Sequence, residues 1–218
     1  MKRVFDLITS LLGLFLLSPI LLLVALLIKS DSTGPIFFRQ ERMGKGFRPF
    51  FIFKFRTMTQ HTAAQVRLLT VGDDSRITRV GRFLRKAKID ELPQLFNVLK
   101  GEMTFVGPRP EVRQFVELFR ADYEEILKVR PGITDLASLK YRDEAMLLGK
   151  SKNPVEEYVT QILPDKIKLS KEYIRKSSFF FDLILILKTL LKIVESKIQH
   201  KTSPRFNPSE DRAPSIRG

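Results

Sequence analysis

From Leu7 to Ile28 the chain runs through 22 residues without a charge, with Lys2 and Arg3 ahead of the run and Lys29 behind it. A helix of about 20 apolar residues is what a hydrocarbon core of ~30 Å requires, so this segment is expected to meet lipid. A cleavable signal peptide is a poorer match, because its apolar stretch is about 7–15 residues long and ends at an A-x-A-like site, which is missing here. Ser18-Pro19 falls near the middle of the run. Pro removes a backbone donor and crowds the preceding turn, which predicts a kink or a break. Two half-helices of about 11–12 residues would each measure roughly 17 Å, too short to cross, so a hairpin re-entering one leaflet is one outcome. A single Pro-kinked spanning helix is the other. Basic residues at both ends fit either, although a hairpin would put both ends on the cytoplasmic side.

Past this run the pattern changes. Between Thr33 and Met58, Phe37, Phe38, Phe47, Phe50, Phe51, Phe53 and Phe55 are interleaved with Arg39, Arg42, Lys45, Arg48, Lys54 and Arg56. Phe51 to Phe55 alternate as a short strand does, and Met43-Gly44-Lys45-Gly46 reads as a turn, which together predict a β-hairpin. From Ile77 the period becomes helical. Val80, Phe83 and Leu84 recur at helical spacing among Arg79, Arg82, Arg85, Lys86 and Lys88, giving a basic amphipathic helix. A second helix is expected to start at Asp90, a good N-cap, with Glu91 and Pro93 in its first turn. Leu92, Leu95, Phe96 and Leu99 would form its core face, and Gly101 its stop. Ser178 to Gln199 is apolar on one side and carries Lys188, Lys192 and Glu195 on the other, as an interfacial helix does; a core helix has the same pattern. Pro204, Pro208 and Pro214 among scattered charges predict a disordered tail. The expected organisation is a membrane segment over 1–30, a folded domain over 31–200 and a tail over 201–218.

Charge and composition narrow the chemistry. The 218 residues carry 38 Lys and Arg against 24 Asp and Glu, a net charge of +14 that calls for an anionic partner: nucleic acid, an acidic membrane or a phosphorylated substrate. Basic residues among aromatics also occur in single-stranded nucleic-acid grooves. No nucleic-acid-binding signature accompanies them, and the membrane-grade N-terminus points away from that partner. The absence of Cys excludes disulfides, thiolate metal sites and thiol nucleophiles. The remaining candidate chemistry is the adjacent pair Asp90-Glu91, which follows a run of basic residues and precedes the turn Val106-Gly107-Pro108-Arg109-Pro110. Such a pair is commonly no more than a helix start. Beside arginines able to hold phosphate oxygens, carboxylates can also bind Mg²⁺ or attack phosphorus.

These residues carry a resemblance. Arg76-Ile77-Thr78-Arg79-Val80-Gly81-Arg82-Phe83-Leu84-Arg85, then Asp90-Glu91-Leu92-Pro93-Gln94-Leu95-Phe96-Asn97-Val98-Leu99-Lys100-Gly101-Glu102-Met103, then Gly107-Pro108-Arg109-Pro110 form an ordered series. It resembles the bacterial sugar transferases, the monotopic phosphoglycosyl transferases, over about residues 1–195. Phe38-Arg39-Gln40-Glu41-Arg42, Lys54-Phe55-Arg56-Thr57-Met58 and Arg130-Pro131-Gly132-Ile133-Thr134 extend the likeness, and length and order resemble the small single-domain members. The resemblance implies an enzyme that moves a phospho-sugar from a UDP-sugar to polyprenyl (undecaprenyl) phosphate, with release of UMP. It would catalyse the first membrane step of glycoconjugate or exopolysaccharide assembly. Asp90 is implied as the nucleophile, through a covalent phosphosugar-aspartyl intermediate, with Glu91 assisting and Mg²⁺ held at Asp90 and Glu91. Lys54, Arg56, Arg85, Arg109 and Arg142 are the implied substrate-binding cations, and Ser18-Pro19 the implied break of a re-entrant helix. The implied fold is mixed α/β and mainly helical: a re-entrant membrane helix-hairpin and a compact cytoplasmic catalytic domain with a short β-hairpin and interfacial amphipathic helices. Its place would be the cytoplasmic face of the bacterial inner membrane, with downstream glycosyltransferases as further partners and no nucleic acid. A catalytically inactive membrane-anchored scaffold of the same fold is the alternative.

The chain departs from the family pattern after Ile133. Many members continue with a Gly after the Thr and a Gly before the Arg that Arg142 matches, where this chain has Asp135 and Tyr141. Neither residue reaches positive φ as cheaply as Gly, so an altered loop, bearing on sugar choice, is expected here.

Overall fold

A computed structural model describes residues 1–59, 69–72 and 74–202. The tail predicted over 201–218 therefore lies, past Thr202, outside the described residues. Helix α1 (Lys2–Asp31) is one helix of 30 residues with Pro19 inside it, and the break into two half-helices is not seen. Ser18 supplies the reason. Pro19 cannot donate to the carbonyl four residues back, that of Phe15. The Ser18 hydroxyl donates to that same carbonyl at 2.8 Å instead. Among the described residues α1 is the one helix long and apolar enough to cross a membrane. Leu11, Leu12, Phe15, Leu16, Leu22 and Leu23 on it are exposed.

Both ends of α1 are fastened to the rest of the chain. At the start, Lys2 Nζ pairs with Asp182 at 2.6 Å and donates to the Val106 carbonyl at 2.8 Å. Arg3 donates to the Val98 and Leu99 carbonyls, and the buried Asp6 accepts from the Thr104 hydroxyl at 2.7 Å. At the other end, Asp31 accepts the Val80 N–H, and Val24 and Ile28 pack with Phe55 and Leu84.

Strands β1 (Phe37–Met43) and β2 (Pro49–Phe55) form the predicted hairpin, in antiparallel register from Phe37 opposite Phe55 to Met43 opposite Pro49. Helix α2 (Arg79–Lys86) begins where the basic amphipathic pattern does, its Thr78 hydroxyl capping the Gly81 N–H. A Cβ on Gly81 would fall 2.1 Å from the Thr57 carbonyl oxygen, so only glycine lets α2 lie against the residues that follow β2. The next helix, α3 (Gln94–Lys100), starts three residues later than an N-cap at Asp90 predicts and ends at Gly101. Its buried residues are Gln94, Leu95, Asn97 and Val98, whereas Phe96, expected in the core, is exposed. Asn97 makes polar burial here affordable: it accepts the Phe53 N–H and donates to the Phe51 carbonyl and to Glu102, stitching α3 to the edge of β2.

Strand β3 (Thr104–Val106) leads into helices α4 (Arg113–Leu118) and α5 (Arg120–Ile126), and β4 (Gly132–Thr134) returns parallel to β3. A Cβ on Gly132 would lie 2.1 Å from the Gly107 nitrogen, so this close approach seats the Gly107–Pro110 turn against β4. Short helices α6 (Leu136–Lys140), α7 (Glu144–Leu148) and α8 (Pro154–Glu157) follow, then a π-helical turn (Tyr158–Ile162) and α9 (Leu163–Lys176). The largest core joins β1, α4, α5, the π-helical turn and α9 through residues such as Met43, Phe115, Ile126, Tyr158 and Ile167. Helix α10 (Phe179–Thr202) is the last element among the described residues, with Leu185 buried and Phe180, Leu187, Leu190 and Leu191 exposed. The fold is thus a mainly helical α/β one with a short β-hairpin, as the sequence predicts.

Candidate active site

The carboxylates are set by a change of backbone direction. Helix α2 stops at Ala87, Lys88 takes a left-handed conformation (φ 57°), and Ile89–Glu91 form a single 3₁₀ turn. Asp90 lies in that turn rather than at a helix N-cap. It is buried, and its Oδ1 has no hydrogen-bond partner, unlike either carboxylate oxygen of Glu91.

Glu91 is bound differently. Its Oε1 accepts from Lys54 Nζ at 2.8 Å and from Arg109 Nη2 at 2.6 Å, and its Oε2 from Arg109 Nη1 at 3.3 Å. Burial alone would raise the Glu91 pKa, but Arg109 and Lys54 outweigh it and hold the carboxyl well below its ordinary range. Burial and then the neighbouring Glu91 charge push Asp90 up, against the attraction of Lys54, Lys88 and Arg85. Two adjacent carboxyls are thereby driven apart, one fixed as an anion and the other made more basic. Burial lowers Lys54, opposed by Glu91, and lowers Arg85, opposed by Asp90.

Of the predicted cations, Lys54, Arg85 and Arg109 converge on the pair. Arg85 Nε is steadied by the Thr57 hydroxyl at 2.8 Å. Arg56 and Arg142 are engaged elsewhere. Arg56 is buried and donates through Nη2 to the Ser32 carbonyl at 2.7 Å, fastening the end of α1. The Arg142 guanidinium bonds the Lys192 carbonyl on α10, while its own carbonyl accepts from Lys88 Nζ at 3.2 Å. The departure after Ile133 does not strain the backbone. Asp135 is extended (φ −160°) and caps α6, its Oδ1 accepting the Ser138 N–H at 2.7 Å and its Oδ2 the Arg109 N–H at 3.2 Å. Tyr141 has φ −100° and donates to Asp165 at 2.8 Å. The acidic cap in place of glycine therefore steadies the backbone of Arg109.

Sequence reasoning missed two residues. Lys88 reads as one more base on α2. Gln94 reads as a helix surface position, yet it is fully buried with both amide atoms unpartnered, four residues after Asp90. Its place among strictly apolar neighbours was the available signal.

Among the described residues no three His, Cys, Asp or Glu side chains converge as a metal cage. The unpartnered Asp90 Oδ1 suits a hard cation that takes its other ligands from phosphate oxygens and water, as Mg²⁺ does. Glu91 suits it less, because both of its oxygens already face cations.

Comparison with known proteins bears on this arrangement. The family model for bacterial sugar transferases matches residues 1–196. The chain is 38% identical over 200 residues to the UDP-N-acetylgalactosamine-undecaprenyl-phosphate N-acetylgalactosaminephosphotransferase of Aeromonas hydrophila, covering 88% of this chain and 43% of that protein. It is 40% identical over 195 residues to the UDP-glucose:undecaprenyl-phosphate glucose-1-phosphate transferase of Klebsiella pneumoniae, covering 88% and 39%. It thus spans about two-fifths of the length of these relatives, 43% and 39%. With the uncharacterized sugar transferase EpsL of Bacillus subtilis the match is end to end: 35% identity over 215 residues, 97% of this chain and 98% of that one.

Proposed function

The chain belongs to the bacterial sugar transferase family, and from that membership we propose that it transfers a phospho-sugar from a UDP-sugar to undecaprenyl or a related polyprenyl phosphate, releasing UMP. The names of the Aeromonas and Klebsiella relatives support the donor and acceptor classes. The observation that carries the reading is the pairing of a buried carboxylate whose Oδ1 has no partner, Asp90, with Lys54 and Arg85 acting on it and Arg109 held by the adjacent Glu91.

The chemistry follows from those groups. An Asp90 oxygen attacks the phosphorus that bears the sugar, and the bond from that phosphorus to the UMP oxygen breaks. Arg85, Lys54 and Arg109 offset the charge of the diphosphate as the anionic nucleophile approaches. A phosphate oxygen of the polyprenyl acceptor then attacks the same phosphorus, the aspartyl bond breaks, and polyprenyl-diphospho-sugar leaves. Glu91 stays ionised throughout, holding Lys54 and Arg109 in place. Mg²⁺, held by Asp90 with substrate oxygens, would supply further charge neutralisation at the diphosphate. The test is UMP release from a panel of UDP-sugars with polyprenyl phosphate. Turnover of at least one sugar in Mg²⁺ and none in excess EDTA is expected; no release from any of them would sink the reading.

The site is proposed to sit on the cytoplasmic face of the inner membrane, with α1 continuous as a helix but bent at Pro19 so that it re-enters the leaflet. A straight 30-residue helix is about 45 Å long, enough to cross. Crossing would put its two ends on opposite sides. The attachment of both ends to one folded body, through Lys2, Arg3 and Asp6 at the start and Asp31 and Ser32 at the close, supports a same-side topology. The exposed apolar residues of α1 and α10 supply the surface that enters lipid. Because the chain lacks Cys, a single Cys appended ahead of Met1 reports the topology directly. It is expected to react with an impermeant maleimide only after the cells are permeabilised. Labelling on intact cells contradicts the re-entrant arrangement.

A further inference from the structure

Lys88 combines two features that its position in a basic helix does not explain. Its backbone is left-handed, φ 57°, a conformation glycine adopts freely and lysine does not. Its N–H donates to the Arg85 carbonyl at 3.1 Å, closing α2, and its carbonyl accepts the Glu91 N–H at 3.4 Å, opening the turn that carries the carboxylates. The direction of that turn is thus set at Lys88. The second feature is the side chain. Lys88 Nζ reaches 54 positions along the chain to the Arg142 carbonyl, at 3.2 Å. Arg142 in turn bonds the Lys192 carbonyl on α10, and Lys192 bonds back to the Leu139 carbonyl.

Were the backbone bend the whole requirement, glycine would meet it without steric penalty. A lysine there implies use of the side chain. We propose that Lys88 is a positioning residue for the Asp90-Glu91 turn, its ammonium tying that turn to Arg142 and, through Arg142, to the apolar-faced helix α10. The role rests on the phosphotransfer reading above. It makes the segment after Ile133 one side of the brace: Asp135, where the family pattern has Gly, steadies the Arg109 backbone, and Arg142 steadies the Asp90 turn. A site with two displacements on one carboxylate needs that carboxylate held in line with phosphorus twice, and a small misplacement is costly in rate.

Three variants separate the side chain from the bend. Lys88→Gly removes the strain and the tie together, so it is expected to melt at or above the unaltered protein while kcat for UMP release falls between about 10- and 100-fold, with KM for the UDP-sugar little changed. Lys88→Met keeps the strain and loses the tie, and is expected to lose kcat similarly. Lys88→Arg, which can still reach the Arg142 carbonyl, is expected to recover most of it. Hydrogen exchange gives a readout independent of turnover: the Glu91 and Leu92 amides should exchange faster in the Gly and Met variants and not in the Arg variant. Unchanged kcat and unchanged exchange in Lys88→Gly would overturn the proposal. Should the unaltered protein release no UMP, the phosphotransfer reading fails, and amide exchange alone still decides the tie.

Discussion

Asp90→Asn is expected to reduce UMP release by at least ~10³-fold while leaving the protein folded and membrane-bound. The amide has the size of the carboxylate and lacks the anionic oxygen that attacks phosphorus. The proposed membrane attachment is through α1 and α10, and no hydrogen bond joins Asp90 Oδ1 to either helix. The same variant is expected to raise the melting temperature at neutral pH, and the sign follows from the direction of the pKa shift. Burial, with Glu91 beside it, lifts Asp90 above its unfolded value. A carboxyl raised on folding binds its proton more tightly in the native state, so above both pKa values its ionisation works against folding. Asn removes that cost. For the unaltered protein, the acid limb of kcat/KM is expected to lie above the ordinary aspartate range. UMP release near the unaltered rate from Asp90→Asn rules out the nucleophile assignment, and a lower melting temperature contradicts the electrostatics.

Much of the architecture was legible because it rests on local pattern. The apolar run of α1, the Phe51–Phe55 alternation with its glycine-bearing turn and the basic stripe of α2 each became the element predicted, since period and turn chemistry act over a few residues. What failed depends on contacts far along the chain. Asp90 looks like a cap, but Pro93 stands at the N-cap of α3 and the helix starts after it, leaving the carboxylates in a tighter turn. Phe96 looks like core and Asn97 like surface. The edge of β2 reverses them, because Asn97 can satisfy the Phe51 carbonyl and the Phe53 N–H while Phe96 cannot. Arg56, two residues from Lys54, would share its face in a continuing strand; β2 ends at Phe55, and Arg56 turns to α1 instead. The clamps were indicated by likeness to the family rather than by spacing. Lys54 and Arg109 stand 37 and 18 residues from Glu91, separations over which periodicity carries no information. Ser18 shows the converse: a motif that reads as a break is also the means of keeping the helix whole.

Glu91→Gln is expected to do what Asp90→Asn does not: lower stability and activity together. Glu91 accepts three hydrogen bonds from Lys54 and Arg109, with side chains 14%, 22% and 31% exposed respectively. An amide can accept through one oxygen only, and its NH₂ points a donor at a guanidinium or an ammonium. Two cations are then left in a poorly hydrated place without an anion. Breaking one side of a buried pair costs about 3–5 kcal/mol, and the residual exposure here favours the lower end, near 3. At roughly 2–4 °C per kcal/mol for a chain of this size, the melting temperature should fall by about 6–12 °C. The pH dependence supplies a second check. Arg109 and Lys54 hold the Glu91 carboxyl well below its unfolded value despite burial. Its contribution is therefore complete above the unfolded pKa, near 4.3, and lost as pH falls through the folded one. The gap in melting temperature between the unaltered protein and Glu91→Gln should accordingly be widest near neutrality and narrow below about pH 4. Activity falls because Lys54 and Arg109, no longer drawn to one point, present their charges to the diphosphate in many arrangements instead of one. A variant that melts with the unaltered protein at pH 7 would remove Glu91 as the organiser of the two cations, and with it the division of labour between the adjacent carboxylates.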